Sequence, residues 1–244
     1  MKNPKLLLLP LAALLVSACG GGTEEAEIPL EERSFGVRSG ILEYTESGPE
    51  LPYTSKTTHY FDDWGVRQAM YAEATTADGE VMRRLQLKAG EWAYSANLDK
   101  MTGAKGMVAE TPPMVGGPVA AHEARVLAEG GKLEGTEEFL GYTCKVFVEN
   151  PEALQGTVRN LVYEAILLKS TITGDDGKVI YRREATRFEE NADVPQDKLM
   201  PPSGVNFVSA EAVNQALQQA DAAAQAREAE SPEETEAPAA PQGE

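Results

Sequence analysis

The sequence predicts a mainly β protein: one antiparallel sheet with one or two packed helices, preceded by an export signal. Three observations carry this. Between Phe35 and Phe207 the chain falls into short runs of alternating apolar and polar residues, the period of a strand with one buried face. Glycine-bearing turns such as Ala77-Asp78-Gly79-Glu80 and Gly174-Asp175-Asp176-Gly177 separate the runs, and Asp-Gly between alternating runs marks a hairpin. Ahead of both stands a charged end, a short apolar run and a small-residue stretch closing on a cysteine, the order of a secretory signal.

Lys2 and Lys5 supply the charge, and Leu6 to Val16, interrupted by Pro10, supplies the apolar run. A membrane-spanning helix needs roughly twenty apolar residues, so this segment is too short to span. Its end, Val16-Ser17-Ala18-Cys19, resembles the bacterial lipobox. That resemblance implies cleavage between Ala18 and Cys19, and a diacylglycerol thioether with an amide-linked acyl chain, such as palmitate, on Cys19. One acyl chain holds marginally, whereas two or more hold stably, at about 0.8 kcal/mol per buried methylene. Gly20 rather than aspartate follows the cysteine, and the resemblance then points to the outer membrane, facing the periplasm. The alternative is an ordinary signal with a coincidental cysteine.

Loss of residues 1–18 leaves 226 residues and removes two lysines, taking the formal charge from -17 to -19. Nucleic-acid phosphates demand a basic footprint, so such acidity argues against binding them. It also argues against a broad grip on anionic lipid. Of two cysteines, acylation of Cys19 leaves Cys144 alone. In the alternating run Tyr142 to Val148, Cys144 reads as a small buried hydrophobe.

The elements follow in order. Residues 19–34 form a glycine-rich, charged tether. The β domain covers 35–207. Its strands run Gly36–Glu46, Thr54–Phe61, Val66–Thr76, Val81–Leu87, Glu91–Leu98 and, as a pairing candidate, Ala104–Ala109. Pro118 to Glu129 reads as a helix, with proline in its first turn and Gly130-Gly131 ending it. Its thin stripe of Val119, Val126 and Leu127 predicts one wet side. Strands resume at Leu133–Phe139, Tyr142–Glu149, Thr157–Tyr163, Ile166–Thr173 and Lys178–Phe188, for about ten strands in all. An alanine- and glutamine-rich helix with Ser209 as its N-cap occupies 208–228. The tail, 229–244, lacks lysine and arginine and reads as disordered.

The runs Ser39-Gly40-Ile41-Leu42-Glu43-Tyr44, His59-Tyr60-Phe61-Asp62-Asp63-Trp64-Gly65 and Gly90-Glu91-Trp92-Ala93-Tyr94-Ser95 resemble a family of bacterial envelope proteins of unassigned function. So do Gly135 to Cys144 and Glu189 to Pro195. More distantly, the arrangement is similar to the carriers that ferry lipoproteins across the periplasm. The resemblance implies a strongly curved sheet, an unclosed half barrel with helices over its opening and acyl chains in its hollow. One departure lies at Ala165-Ile166-Leu167-Leu168-Lys169, where the family has a glycine and a proline. Without them, the two flanking strands are expected to run together.

Candidate chemistry is sparse. His59 and His122 are the two histidines, lack metal-ligand spacing and read as surface or edge residues. Asp62-Asp63 and Asp175-Asp176 sit beside glycines, where aspartate caps its own turn. No serine elbow, phosphate loop or dinucleotide fingerprint occurs, and no metal or cofactor is expected. The aromatic set Trp92, Tyr94, Tyr44, Tyr60, Phe61 and Tyr71 lines an apolar hollow if the sheet is curved and open, or else fills a solid core. The hollow is expected at Ile41, Met70, Leu85, Leu87, Trp92 and Tyr94.

Two functions compete. One is a non-catalytic binding module on the membrane, holding a lipid, an acylated molecule or another apolar ligand. The other is a structural or interaction scaffold of the envelope without a small-molecule ligand, its protein partner unidentified. An enzyme needs convergent titratable groups in a cleft, and the sequence offers none.

Overall fold

The computed structural model describes residues 28–49, 51–110, 118–151, 156–213, 215 and 218–219. Ala18 and Cys19, most of the tether, most of the helix expected over 208–228, and the tail lie outside the described residues.

Twelve strands form one curved, open sheet. The first six, β1 (Gly40–Ser47), β2 (Tyr53–Asp62), β3 (Arg67–Thr76), β4 (Val81–Ala89), β5 (Trp92–Asn97) and β6 (Thr102–Met107), make an antiparallel meander. A 3-10 turn at Val119–Ala121 leads into α1 (His122–Ala128). A second meander follows: β7 (Lys132–Phe139), β8 (Tyr142–Glu149), β9 (Gly156–Tyr163), β10 (Ile166–Gly174) and β11 (Val179–Glu190). Pairing of β1 with β11 joins the two, and β7 lies at one edge. A short β12 (Asn206–Ser209) runs parallel to β6 at the other edge.

The mainly β, curved antiparallel architecture is as the sequence predicts, with three corrections. The strands number twelve among the described residues, because β6 pairs fully with β5 and β12 was not foreseen. The first strand begins at Gly40, since Phe35 and Val37 turn inward to the core as irregular chain. The strands flanking Ala165 do not merge. Glu164 and Ala165 both take left-handed φ angles, 46° and 62°, and Tyr163 pairs with Ile166 across a two-residue turn. Both residues with positive φ is the type I′ geometry that matches strand twist, and it forms here without glycine.

The ladder register sorts the side chains onto two faces. One row reads Ile41, Tyr60, Ala69, Leu87 and Tyr94 across β1 to β5. That face is covered by the chain after β11, whose Val194, Leu199 and Phe207 pack on Ala69, Leu85, Leu87 and Ala96. The opposite face carries Tyr44, Thr57, His59 and Met70. Where β10 meets β11, pairing spans only Lys169–Thr173. Ile166 and Leu168 instead join Phe188, Leu42 and Phe61 in the main core.

α1 sits on the face of Tyr44 and His59. Of its predicted stripe only Val126 is buried, against Phe147 and Val162, while Leu127 is 45% exposed. An ion pair of 2.6 Å from Lys145 of β8 to Glu123 pins it. Gly131 then lets the chain leave closely: a Cβ there would stand 2.6 Å from Val126 Cγ1.

Candidate functional site: a trough beneath the helix

Neighbouring strands place one row of residues along the floor beneath α1. Phe147 is opposite Asn160, Asn160 opposite Ser170, Ser170 opposite Arg183, and Arg183 opposite Glu46. Tyr44, His59 and Met70 continue the floor across β1, β2 and β3. Between this floor and α1 lies a cavity of about 530 Å³, walled by Phe35, Val126, Phe147, Val162, Ile166 and Met70. A second cavity of about 310 Å³ adjoins it on the same face, shares Met70, and is lined by Ser55, Thr57, Ala72, Arg84, Gln86 and Ser95. The two lie side by side along this face of the sheet, with Met70 between them, and the trough is the concave face that holds both.

The polar groups of the floor are held in place. Tyr44 donates its hydroxyl hydrogen to the Leu167 carbonyl at 2.8 Å. The Arg183 guanidinium lies 4.3 Å above the Tyr44 ring, with Nε 3.8 Å from a Glu46 carboxylate oxygen. Burial pushes the Tyr44 phenol up to about 12, against the opposing pull of Arg183. His59 is 2% exposed, correcting its reading as a surface or edge residue. Burial, reinforced by Arg183, pushes its imidazole down to about 4, although its bond to Gln68 acts the other way. His122, whose ring stands 5.7 Å from that of Phe147, is likewise lowered by burial, Arg125 and Lys145, against Glu123.

Arg125, Arg183, Glu129 and Glu149 are the formal charges on the larger cavity, so cations and anions balance while both histidines are neutral near pH 7. No group of three or more histidine, cysteine or carboxylate side chains fit to hold a metal occurs among the described residues. Cys144 lies in the main core, fully buried, its thiol pushed up to about 11 by burial and by Glu138 and Glu137. The lining is thus mixed, apolar side chains such as Phe35, Val126, Phe147 and Ile166 alternating with the polar and charged groups of Tyr44, His59, Asn160 and Arg183, and a concave site with convergent polar groups is a candidate for holding a ligand.

The six residues expected at a hollow are not brought together. Met70 faces the trough and touches both cavities. Ile41, Leu87 and Tyr94 stand in the row on the opposite face, packed under the chain after β11, with Leu85 buried among them but also bordering the second cavity beside Met70. Trp92, paired with Met107 at the end of the same face, is 43% exposed. The reason is strand parity: Met70 is even in β3, and its partners across the ladder are His59 and Gln86. Residues that line the trough but were not singled out include Phe147, Arg183 and Arg84. A signal for this face did exist, in the buried polar alternation Ser55, Thr57, His59.

No protein-family model matches the chain, and no curated protein is similar to it in sequence. Solved structures align with it at low identity. An uncharacterized conserved protein from Thermus thermophilus aligns at 10% identity with a TM-score of 0.47, over 74% of this chain and 94% of its own. The MucA/MucB complex of Pseudomonas aeruginosa aligns at 15% identity and a TM-score of 0.43, over 73% of this chain and 60% of its own. A putative outer membrane lipoprotein-sorting protein domain from Vibrio parahaemolyticus aligns at 6% identity and a TM-score of 0.27, over 66% and 89%. Alignments this distant carry no functional argument, and the functional reading rests on the trough itself.

Proposed function

We propose that the protein is a non-catalytic binding module of the bacterial envelope. It holds a lipid, an acylated molecule or another apolar ligand in the trough beneath α1. Acylation of Cys19 anchors it to the outer membrane on the periplasmic side, and the tether sets the β body off the bilayer. The observation that carries the reading is the cavity of about 530 Å³ between α1 and the sheet. Its size falls in the range of small-molecule sites, roughly 300–1,000 Å³, and Phe35, Val126, Phe147, Val162 and Ile166 give it an apolar portion beside its charged groups.

Native mass spectrometry of the purified protein, followed by lipid extraction, tests this. A bound molecule released on denaturation supports the module. A protein that is empty as isolated, and that takes up no lipid when offered it, removes this reading in favour of a scaffold.

A further inference from the structure

The tether that sets the body off the bilayer also decides which part of the body can come down on it. We infer that the sheet lands by one rim, the end that carries both tryptophans, on the headgroup layer of a zwitterionic bilayer. This rests on the anchored reading above and adds the surface that meets the membrane.

The antiparallel strands turn alternately at two rims. One rim gathers the turns after β2, β4, β7 and β9 with the ends of β6 and β11, and the other gathers the turns after β1, β3, β5, β8 and β10. The base of the tether is tied to the first rim. Ser34 and Phe35 donate their backbone N–H groups to the Trp64 carbonyl at 2.9 and 3.1 Å, and Gly36 donates to that of Glu164 at 2.9 Å. Arg33 Nε reaches back to the Ile28 carbonyl at 2.8 Å, so this rim holds the chain from Ile28 onward.

Reach then limits how the body can sit. Residues 19–27 are nine in number and begin with Cys19 and three glycines. A flexible chain of that length averages about 17 Å end to end and spans at most about 32 Å. The ten residues of β2 alone run about 34 Å from rim to rim. Landing on the far rim would draw the tether close to its limit, whereas landing on the near rim leaves it slack.

The near rim offers what a headgroup layer takes. Trp92, Met107 and Leu140 are exposed on it, as is Leu30 at the base of the tether. Trp64 stands in the turn after β2 at φ 54°, a left-handed conformation that bulky residues avoid. The guanidinium groups of Arg33 and Arg38 lie 4.3 and 5.6 Å from its ring. Both tryptophans of the chain thus share one rim, and tryptophan collects at membrane–water interfaces, where its ring is apolar and its N–H stays wet. The large apolar side chains exposed on the far rim are Val81, Met101 and Val179. Glu91, Glu164 and Glu190 also stand on the near rim, so contact is by aromatic and apolar tips, and an anionic surface opposes it.

Tryptophan quenching tests the landing. The lipidated full chain is reconstituted with phosphatidylcholine vesicles brominated near the headgroups. Trp64→Phe leaves Trp92 as reporter, Trp92→Phe leaves Trp64, and the wild type reads both without a substitution. Each is expected to lose emission to the bromines. Val179→Trp, in a chain with Trp64→Phe and Trp92→Phe, reports the far rim and is expected to keep its emission. Quenching at the far rim equal to that at Trp92, or none at Trp92 in protein that floats with the vesicles, overturns the landing and leaves the anchored reading standing. Protein that does not float with the vesicles overturns both.

Discussion

The buried imidazole of His59 donates from Nε2 to Gln68 Oε1 across the β2–β3 ladder at 3.2 Å. Gln68 in turn donates its amide to the Gly65 carbonyl at 2.8 Å, which fixes which end of the amide is the acceptor. The relay orients the ring, which packs edge-on against Phe35, while burial and the nearby Arg183 keep it neutral.

Acid therefore weakens the fold through this residue. The unfolded chain protonates His59 at its ordinary value of 6.5, whereas the folded chain resists to about 4. Between those values the unfolded state binds a proton that the folded state refuses. The contribution is complete above pH 6.5 and is lost as pH falls toward 4, about 3 kcal/mol in all. Urea midpoints of wild type and His59→Leu from pH 7.5 to 4 measure it. The variant is expected to show the shallower decline, and parallel curves would refute the assignment.

Cutting the relay at its other member also destabilises. Gln68→Leu leaves the His59 N–H buried without an acceptor and removes the shorter of two hydrogen bonds to the Gly65 carbonyl, which keeps only the Ser34 hydroxyl, at a cost of about 1–3 kcal/mol. Chemical denaturation at pH 7.5 reads this directly.

The turn at Glu164 and Ala165 offers the opposite change. Both residues take left-handed φ, a conformation that costs a residue with a Cβ about 1 kcal/mol. Ala165→Gly is expected to raise stability by several tenths of a kcal/mol, the strain relieved exceeding the entropy that glycine adds to the unfolded chain. A lowered melting temperature would count against the I′ geometry.

Gly40 has the reverse role. A Cβ there would stand 2.6 Å from the Phe61 ring and 3.0 Å from that of Phe188. Gly40→Ala must push apart two rings of the main core, which costs about 1–3 kcal/mol. The denaturant midpoint is expected to fall with no change in slope.

Cys19→Ser tests the anchor. It is expected to abolish incorporation of labelled palmitate and to move the protein from the membrane fraction to the soluble one. A variant that stays in the membrane fraction would mean that the attachment lies elsewhere.

Much of the fold was legible because its turns carry their own chemistry. Asp176 accepts the Lys178 N–H at 3.0 Å, closing the Gly174–Lys178 hairpin as an aspartate beside a glycine should. Cys144 is in the core where its alternating run places it. The left-handed turn at Ala165 was not legible, because tertiary pairing of β9 with β10 imposed it on residues with no preference for it. Nor was β12, whose four residues pair parallel with a strand about a hundred positions earlier. The trough was half legible. The alternation in β2 to β5 defines two faces, but both bury apolar groups, one under α1 and one under the chain after β11. Which of them is left open depends on where those covering segments go, and no periodicity within a strand encodes that.

The pairing of β1 with β11 dictates the order in which the molecule can be assembled. Each half of the sheet is a run of hairpins between sequence neighbours, which close over short loops. Gly40, however, must wait for Glu190. On a chain synthesised from its N-terminus, the first meander exists for a time with β1 as an unprotected border, open to the wrong neighbour. Long-range closure of this kind is slow, and the β1–β11 seam, like the later docking of β12 on β6, is where a second molecule synthesised nearby competes most directly for the place of the proper strand.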